Sequence, residues 1–260
     1  MISRTEESLW HETNDAYLSS AVLWLRLKLE LMSRSDEGPE ERAHLEEEAA
    51  QAYEAMNEAE RCQKQLAMVN LVTTLKLTCF EKEILLLCAA MEMDTRLPYL
   101  CALAQSDARC PYPTFALAMA LFEDPAWEVL SPERPLRFWH LIEVDRQGLQ
   151  PLIASPLRID ERALNYLKGL NHMDERLSPF LTYAGSLDPW SSESISDLLE
   201  TQQQAAQKIV RHIRQATSTS PFSPLPVIQL LGADQSSKHL VASHASAALG
   251  LYLYALQAES

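Results

Sequence analysis

Apolar and polar positions along most of this chain recur with a helical period. Leu18, Val22, Leu25, Leu29 and Met32 alternate four- and three-residue steps, which places them on one helix face. Tyr17, Ala21 and Trp24 widen that face, and Thr13, Asn14 and Asp15 are good capping residues for a helix over 16–32. Turn residues follow from Ser33 to Gly38, and Pro39 suits the first turn of a second helix. From Glu40 to about Leu66, Leu45, Ala49, Ala52, Met56, Ala59 and Leu66 repeat at heptad spacing with charge on the other faces. This long amphipathic helix is either a coiled-coil arm for a partner or the second arm of a hairpin packed on the first helix, and the short connection favours the hairpin.

The middle of the chain switches to short elements. Thr78 and Glu81 form a capping box ahead of the apolar run Ile84 to Ala90. A short helix is predicted over 96–103, and a third over 115–122 is capped by Thr114 after the break at Pro111 and Pro113. Runs 137–144 and 150–159 read as strands joined by a turn at 145–148, and 160–169 reads as a helix closed by Gly169. Three helices and a two-stranded hairpin are the order of a winged helix, a variant of the helix-turn-helix. Many such domains read DNA with the third helix. Here that helix carries no Lys, Arg, Asn or Gln between Thr114 and Phe122, so it has nothing with which to read base edges. Arg134, Arg137 and His140 are the nearby basic group, explained as well by a solvated strand face as by phosphate contact.

Charge sharpens this picture. The formal net charge of −14 opposes binding to a phosphate backbone, so nucleic acid is an unfavoured partner. The longest apolar run, Ile84 to Met91, is far shorter than the roughly 20 residues of a membrane span, and the N-terminus lacks the pattern of a secretory signal, so the cytoplasm is the expected compartment. Five cysteines without a C-x-x-C pair suggest reduced thiols and neither a disulfide framework nor a zinc site. His239 and His244, five residues apart, lie on different helix faces, which argues against a shared metal.

Beyond Asp188 and Pro189, a connecting helix is predicted over 192–216, followed by a proline-rich stretch to Pro226. Val227 to Leu231 then suits a buried parallel strand leading into Gly232-Ala-Asp-Gln-Ser-Ser-Lys-His239 and a helical run to Leu249. Strand, loop and helix in that order fit the phosphate loop G-x-x-x-x-G-K-[ST], in which backbone N–H groups wrap phosphate, the lysine neutralises it and the hydroxyl holds magnesium. Gly232 and Lys238 keep the register, Ser236 lies between them, and Ser237 and His239 replace the second glycine and the hydroxyl. Nucleotide binding is therefore assigned weakly to Gly232, Ser236, Ser237, Lys238 and His239, with ATP or ADP and Mg2+ a weak ligand or none. A second strand over 250–255 would complete the start of a βαβ unit, and the chain stops before any acidic metal-binding strand, so catalysis by this chain alone is not expected. No G-x-S-x-G, H-E-x-x-H or cysteine–histidine grouping is present, so no catalytic residue is named.

With these residues in view, the chain from about Leu71 onward resembles bacterial AAA+ ATPases that carry an N-terminal winged-helix variant domain. The segments that carry the likeness are 77–89, 112–118, 130–137 and 156–162. The resemblance implies a hexameric remodelling machine, in some members associated with contractile injection systems, whose N-terminal part contacts clients or assembly partners. It also implies an inactive first ATPase domain paired with an active second one. The expected fold class is mainly α: a helical hairpin (1–70), a winged-helix-like α/β domain (71–180), a connecting helix and linker (181–226), and the truncated start of a P-loop α/β domain (227–260). The function this supports is an interaction and regulatory region with protein clients and further AAA+ domains or subunits as partners. The alternative is a winged-helix transcriptional regulator with a helical dimerisation arm.

Overall fold

The computed structural model describes residues 4–33, 38–62, 66–146, 148–170, 177–184, 199–219 and 226–256. The chain divides into two compact units, Met1–His172 and Met173–Ser260. Among the described residues it is mainly α-helical, with two separate two-stranded sheets.

The first unit is built on α1 (Arg4–Ser33) and α2 (Pro39–Cys62), an antiparallel hairpin whose arms pack against each other. Tyr17, Leu18, Ala21, Leu25 and Leu29 of α1 are buried with Ala49, Ala52 and Met56 of α2, so the heptad face of the second helix is spent inside the chain. Trp24 joins the hairpin to the rest, meeting Tyr53 at 5.2 Å and stacking on Phe122 at 5.8 Å, while Phe122 meets Phe80 edge-on at 6.4 Å. One continuous core therefore runs from Tyr17 to Leu167 across the expected boundary at residue 70.

Two departures from the sequence expectation share a cause. Helix α1 starts at Arg4, well before the capping residues at 13–15, and the second helix, described to Cys62, does not take in Leu66, the non-helical N-cap of a separate α3 (Ala67–Leu75), with 63–65 outside the described residues. Asn14 is not the cap of its own helix. Its buried side chain donates from Nδ2 to the Leu167 carbonyl at 2.7 Å and accepts at Oδ1 from the Ala67 N–H at 3.2 Å. Leu66, the N-cap of α3, makes no side-chain cap bond, so Asn14 of α1 supplies that cap through space.

The winged-helix elements follow as α4 (Cys79–Met93), α5 (Leu97–Ala104) and α6 (Phe115–Leu121). The capping box is complete at α4: the Thr78 hydroxyl accepts from the Glu81 N–H, and the Glu81 carboxylate accepts from the Thr78 N–H. Residues 137–144 do not form one strand, because Pro135 starts a short helix, α7 (Pro135–Phe138), and His140 takes a left-handed φ of 50° that ends it. The strand is β1 (Ile142–Val144), paired antiparallel with β2 (Leu157–Ile159) in the register Ile142 to Ile159. The run 150–156 before β2 is likewise a turn of 3-10 helix and loop. Asp160 caps α8 (Glu161–Leu167), and Gly169, at φ 77°, ends it with its Cα hydrogens against Trp10.

The second unit contains β3 (Leu181–Tyr183), α9 (Glu200–Thr219), α10 (Gln235–Leu249) and β4 (Tyr254–Leu256). The expected helix over 192–216 is seen as α9, and 192–198 lie outside the described residues. The parallel strand expected over 227–231 is not formed. That segment has no regular secondary structure and no strand partner among the described residues, with Val227 99% and Leu231 83% exposed. The expected last strand does appear in part as β4, but it pairs antiparallel with β3, in the register Leu181 to Leu256. A parallel strand gains its stability from neighbours on its edges, and here the available partner runs the other way.

Candidate functional site

In a DNA-reading winged helix, the third helix offers its outer face to the major groove. In this chain Phe115, Leu117, Ala118 and Leu121 of α6 are buried, Met119 is half-buried, and Ala116 and Ala120 are what it shows to solvent. Its start is locked by the Thr114 hydroxyl, which accepts from the Leu117 N–H at 3.0 Å and donates to Gln105 at 2.8 Å. The Gln105 amide in turn donates to the carbonyls of Cys101, Cys110 and Tyr112, which ties down the loop before α6. The element is a structural post with an alanine surface.

The basic group sorts into two roles. Arg134 is structural: its guanidinium forms a bidentate pair with buried Glu81, Nε to Oε1 at 3.1 Å and Nη2 to Oε2 at 2.7 Å, joining the start of α7 to the capping box of α4. Arg137 and His140, by contrast, line an open groove of about 610 Å³ with Phe138, Ile142, Glu143, Val144 and Arg146. Arg137 donates to the Leu130 carbonyl, and neither Arg137 nor Arg146 forms an ion pair among the described residues. Burial lowers the Arg137 pKa, and the neighbouring positive charge of Arg146 lowers it further. Phe138 and Trp139 stand 57% and 51% exposed beside the groove, ring edge to ring face at 5.0 Å.

One strand of the wing has a free edge at this groove. Asp160 N–H donates to Leu141 C=O and Asp145 N–H donates to Pro156 C=O, so the alternation of an antiparallel ladder gives Glu143 the intervening bonded position. The main-chain groups of Ile142 and Val144 therefore point away from β2, and no partner is found for them among the described residues. The outer edge of β2 is already engaged, since Leu157 N–H donates to Pro113 C=O at 2.9 Å.

The residues assigned to nucleotide lie around the start of α10. Gly232, at φ 150°, and Lys238 are brought together, the Lys238 Cε lying 3.8 Å from where a β-carbon on Gly232 would sit. Residues 235–239 are already helical, which leaves 232–234 as loop. Asp234 caps the helix: its carboxylate accepts from the Ser236 N–H at 3.0 Å and the Ser237 N–H at 3.2 Å, and from the Ser237 hydroxyl. The Ser237 hydroxyl first, then the Ser236 N–H, hold its carboxyl below the usual carboxylate range. Ser237 also accepts from Gln202 of α9 at 2.9 Å, and His239 is exposed. A carboxylate thus stands on the first-turn N–H groups that a phosphate would use.

The family described as winged helix domain, variant, matches residues 3–181, more than half of the 260-residue chain. The chain belongs to the winged-helix variant family. No curated protein and no solved structure matches it. The matched span takes in the α1–α2 hairpin as well as the three helices and the wing, in keeping with their common core. Sequence reasoning found Arg137 and His140 of the winged-helix groove but missed Arg146 and the exposed ring pair. The adjacent aromatic residues Phe138 and Trp139 beside two arginines were the available signal. Among the described residues no group of His, Cys, Asp and Glu could hold a metal, and no helix is long and apolar enough to cross a membrane. Of the cysteines, Cys88 and Cys101 are buried and Cys79 is exposed.

Proposed function

We propose that this winged-helix variant protein serves as a protein-interaction and regulatory region of an AAA+ remodelling or assembly machine, contacting clients, assembly partners or further AAA+ subunits. The observation that carries the interaction reading is α6, whose large side chains are sealed in the core and whose outer face is alanine. Such a helix can brace a surface but cannot discriminate base pairs, and the net charge of −14 opposes phosphate. The AAA+ assignment rests on the resemblance of segments 77–89, 112–118, 130–137 and 156–162. The alternative, a transcriptional regulator with a helical dimerisation arm, is weakened because the apolar face of α2 is spent on α1.

Under this reading the loop at 232–239 is a capped helix start that binds ATP or ADP weakly or not at all, because Asp234 holds the N–H groups. Two titrations test the proposal. Mixed-sequence duplex DNA should bind no tighter than about 10 µM at physiological salt, and tighter, sequence-dependent binding would move the protein to the regulator class. Calorimetry with ATP, with and without magnesium, should give no saturable binding. Saturable heat that disappears in Lys238→Ala would make nucleotide a regulatory ligand.

A further inference from the structure

We propose that the groove between α7 and β1 binds an extended acidic peptide segment of a partner protein, added as a third strand on the free edge of β1. The inference rests on the interaction reading above and names the partner chemistry that reading leaves open. Three independent observations converge on the same few residues. The main-chain N–H and C=O groups of Ile142 and Val144 face the groove without partners among the described residues, which is what strand addition uses for affinity. Arg137 and Arg146 form no ion pair among the described residues and outnumber Glu143, the one carboxylate lining the groove, so on a protein of net charge −14 the groove is a locally basic site. Phe138 offers an exposed ring at its wall, a place for an apolar side chain of the incoming strand.

These features also choose among occupants. A second copy pairing β1 to β1 would bring two sets of Arg137 and Arg146 together, and like charges face to face oppose that association. A nucleic acid would meet the arginines, but it has no peptide groups to satisfy Ile142 and Val144. A peptide with alternating acidic and apolar residues answers all of these. Every second side chain of an added strand faces the same way, so acidic residues would meet the arginines on one side while the backbone pairs with β1.

The test is selection of a random heptapeptide display library on the full chain, counter-selected on the Arg137→Glu/Arg146→Glu variant. The selected peptides should carry Asp or Glu at alternate positions, and the charge-reversal variant should bind them at least tenfold more weakly while keeping its circular dichroism spectrum. Hydrogen exchange should show new protection at the Ile142 and Val144 amides, and a copy of the peptide N-methylated at alternate residues should lose at least tenfold in affinity. No enrichment, enrichment without acidic bias, or equal binding by the N-methylated peptide would overturn strand addition while leaving the broader interaction reading intact. Protection of the same amides by a single-stranded oligonucleotide, with no peptide enriched, would overturn both. Should the double variant fail to fold, Arg146→Gln alone, at an exposed position, must still weaken binding for the proposal to stand.

Discussion

Removing the Asn14 side chain should loosen three helices at once. Asn14→Ala deletes the bonds from Nδ2 to Leu167 C=O and from Ala67 N–H to Oδ1, both buried and linking residues 153 and 53 positions apart. Each such bond contributes about 1 kcal/mol net, and each group left buried without a partner costs about 1–3 kcal/mol. Ala67 N–H lies at the start of α3, where Leu66 offers no side-chain cap, so it has no local substitute. With partial relief from water entering the space, the expected loss is about 3 kcal/mol, roughly 6–12 °C in the melting temperature of a unit this size. Urea denaturation followed by tryptophan fluorescence reads this directly, because Trp10 and Trp24 lie on α1. Amide exchange at Ala67 supplies a local check and should accelerate. Asn14→Asp adds a discriminating arm. It keeps the acceptor but sets a carboxylate against the Leu167 carbonyl, which raises its pKa, so its defect should shrink as pH falls towards 4. A loss below about 0.5 kcal/mol for Asn14→Ala would refute the through-space cap.

Gly169→Ala should cost about 2–4 kcal/mol, since φ is 77° and the added carbon would lie 2.6 Å from the Trp10 ring; thermal melts with near-ultraviolet dichroism of Trp10 check it. Glu81→Gln, which strands Arg134, should destabilise by about 2 kcal/mol, reduced because Arg134 is one-third exposed, and by more than the roughly 1 kcal/mol expected for Thr78→Ala. The reverse order in urea denaturation would refute a structural role for the Arg134 pair. Burial first, and then Glu123 and Asp124, push the Glu83 carboxyl up to about 7 against the opposing charges of Lys28 and Lys82. The folded state therefore holds that proton more tightly than the unfolded chain, and stability falls as pH rises from about 4.5 to 7. Glu83→Gln should stabilise by up to about 1 kcal/mol at pH 8, after screening at a half-exposed site, and by nothing at pH 4.5; equal effects at both pH values would contradict this.

How far the fold could be read from the sequence follows from the range of the interactions involved. The capping box of α4 was legible because Thr78 and Glu81 carry both halves of it within one turn. The same is true of Thr114 at α6 and Asp160 at α8. Asn14 was misread because it has the chemistry of a cap and its partners, Ala67 and Leu167, are remote; the residue type was informative and the address was not. Heptad spacing carried the second helix to Leu66, since Leu66 is buried and in phase, yet Leu66 is the non-helical N-cap of α3. Val227 to Leu231 has the composition of a strand, but composition cannot report whether a neighbouring edge exists. At the groove, Arg134, Arg137 and His140 were visible as one basic group, and only tertiary structure shows that Glu81 withdraws Arg134 from it.

That division of the arginines also bears on how the proposed peptide groove is built on a winged-helix scaffold. Arg134 spends its charge on Glu81 and so fixes the start of α7, three residues before Arg137. After α7 ends at Phe138, His140 takes a left-handed conformation that turns the chain into β1, which sets Arg137, Phe138 and the free edge of Ile142 to Val144 on one groove. The third helix contributes support to this arrangement: Pro113, just before it, occupies the outer edge of β2 through the Leu157 N–H. With the Leu157 N–H so engaged, both outward-facing residues of β1, Ile142 and Val144, keep their main-chain groups without a partner among the described residues. Under the proposed strand addition, the buried elements select β1 as the accepting strand, and Arg137 and Arg146 set the charge its partner would bring.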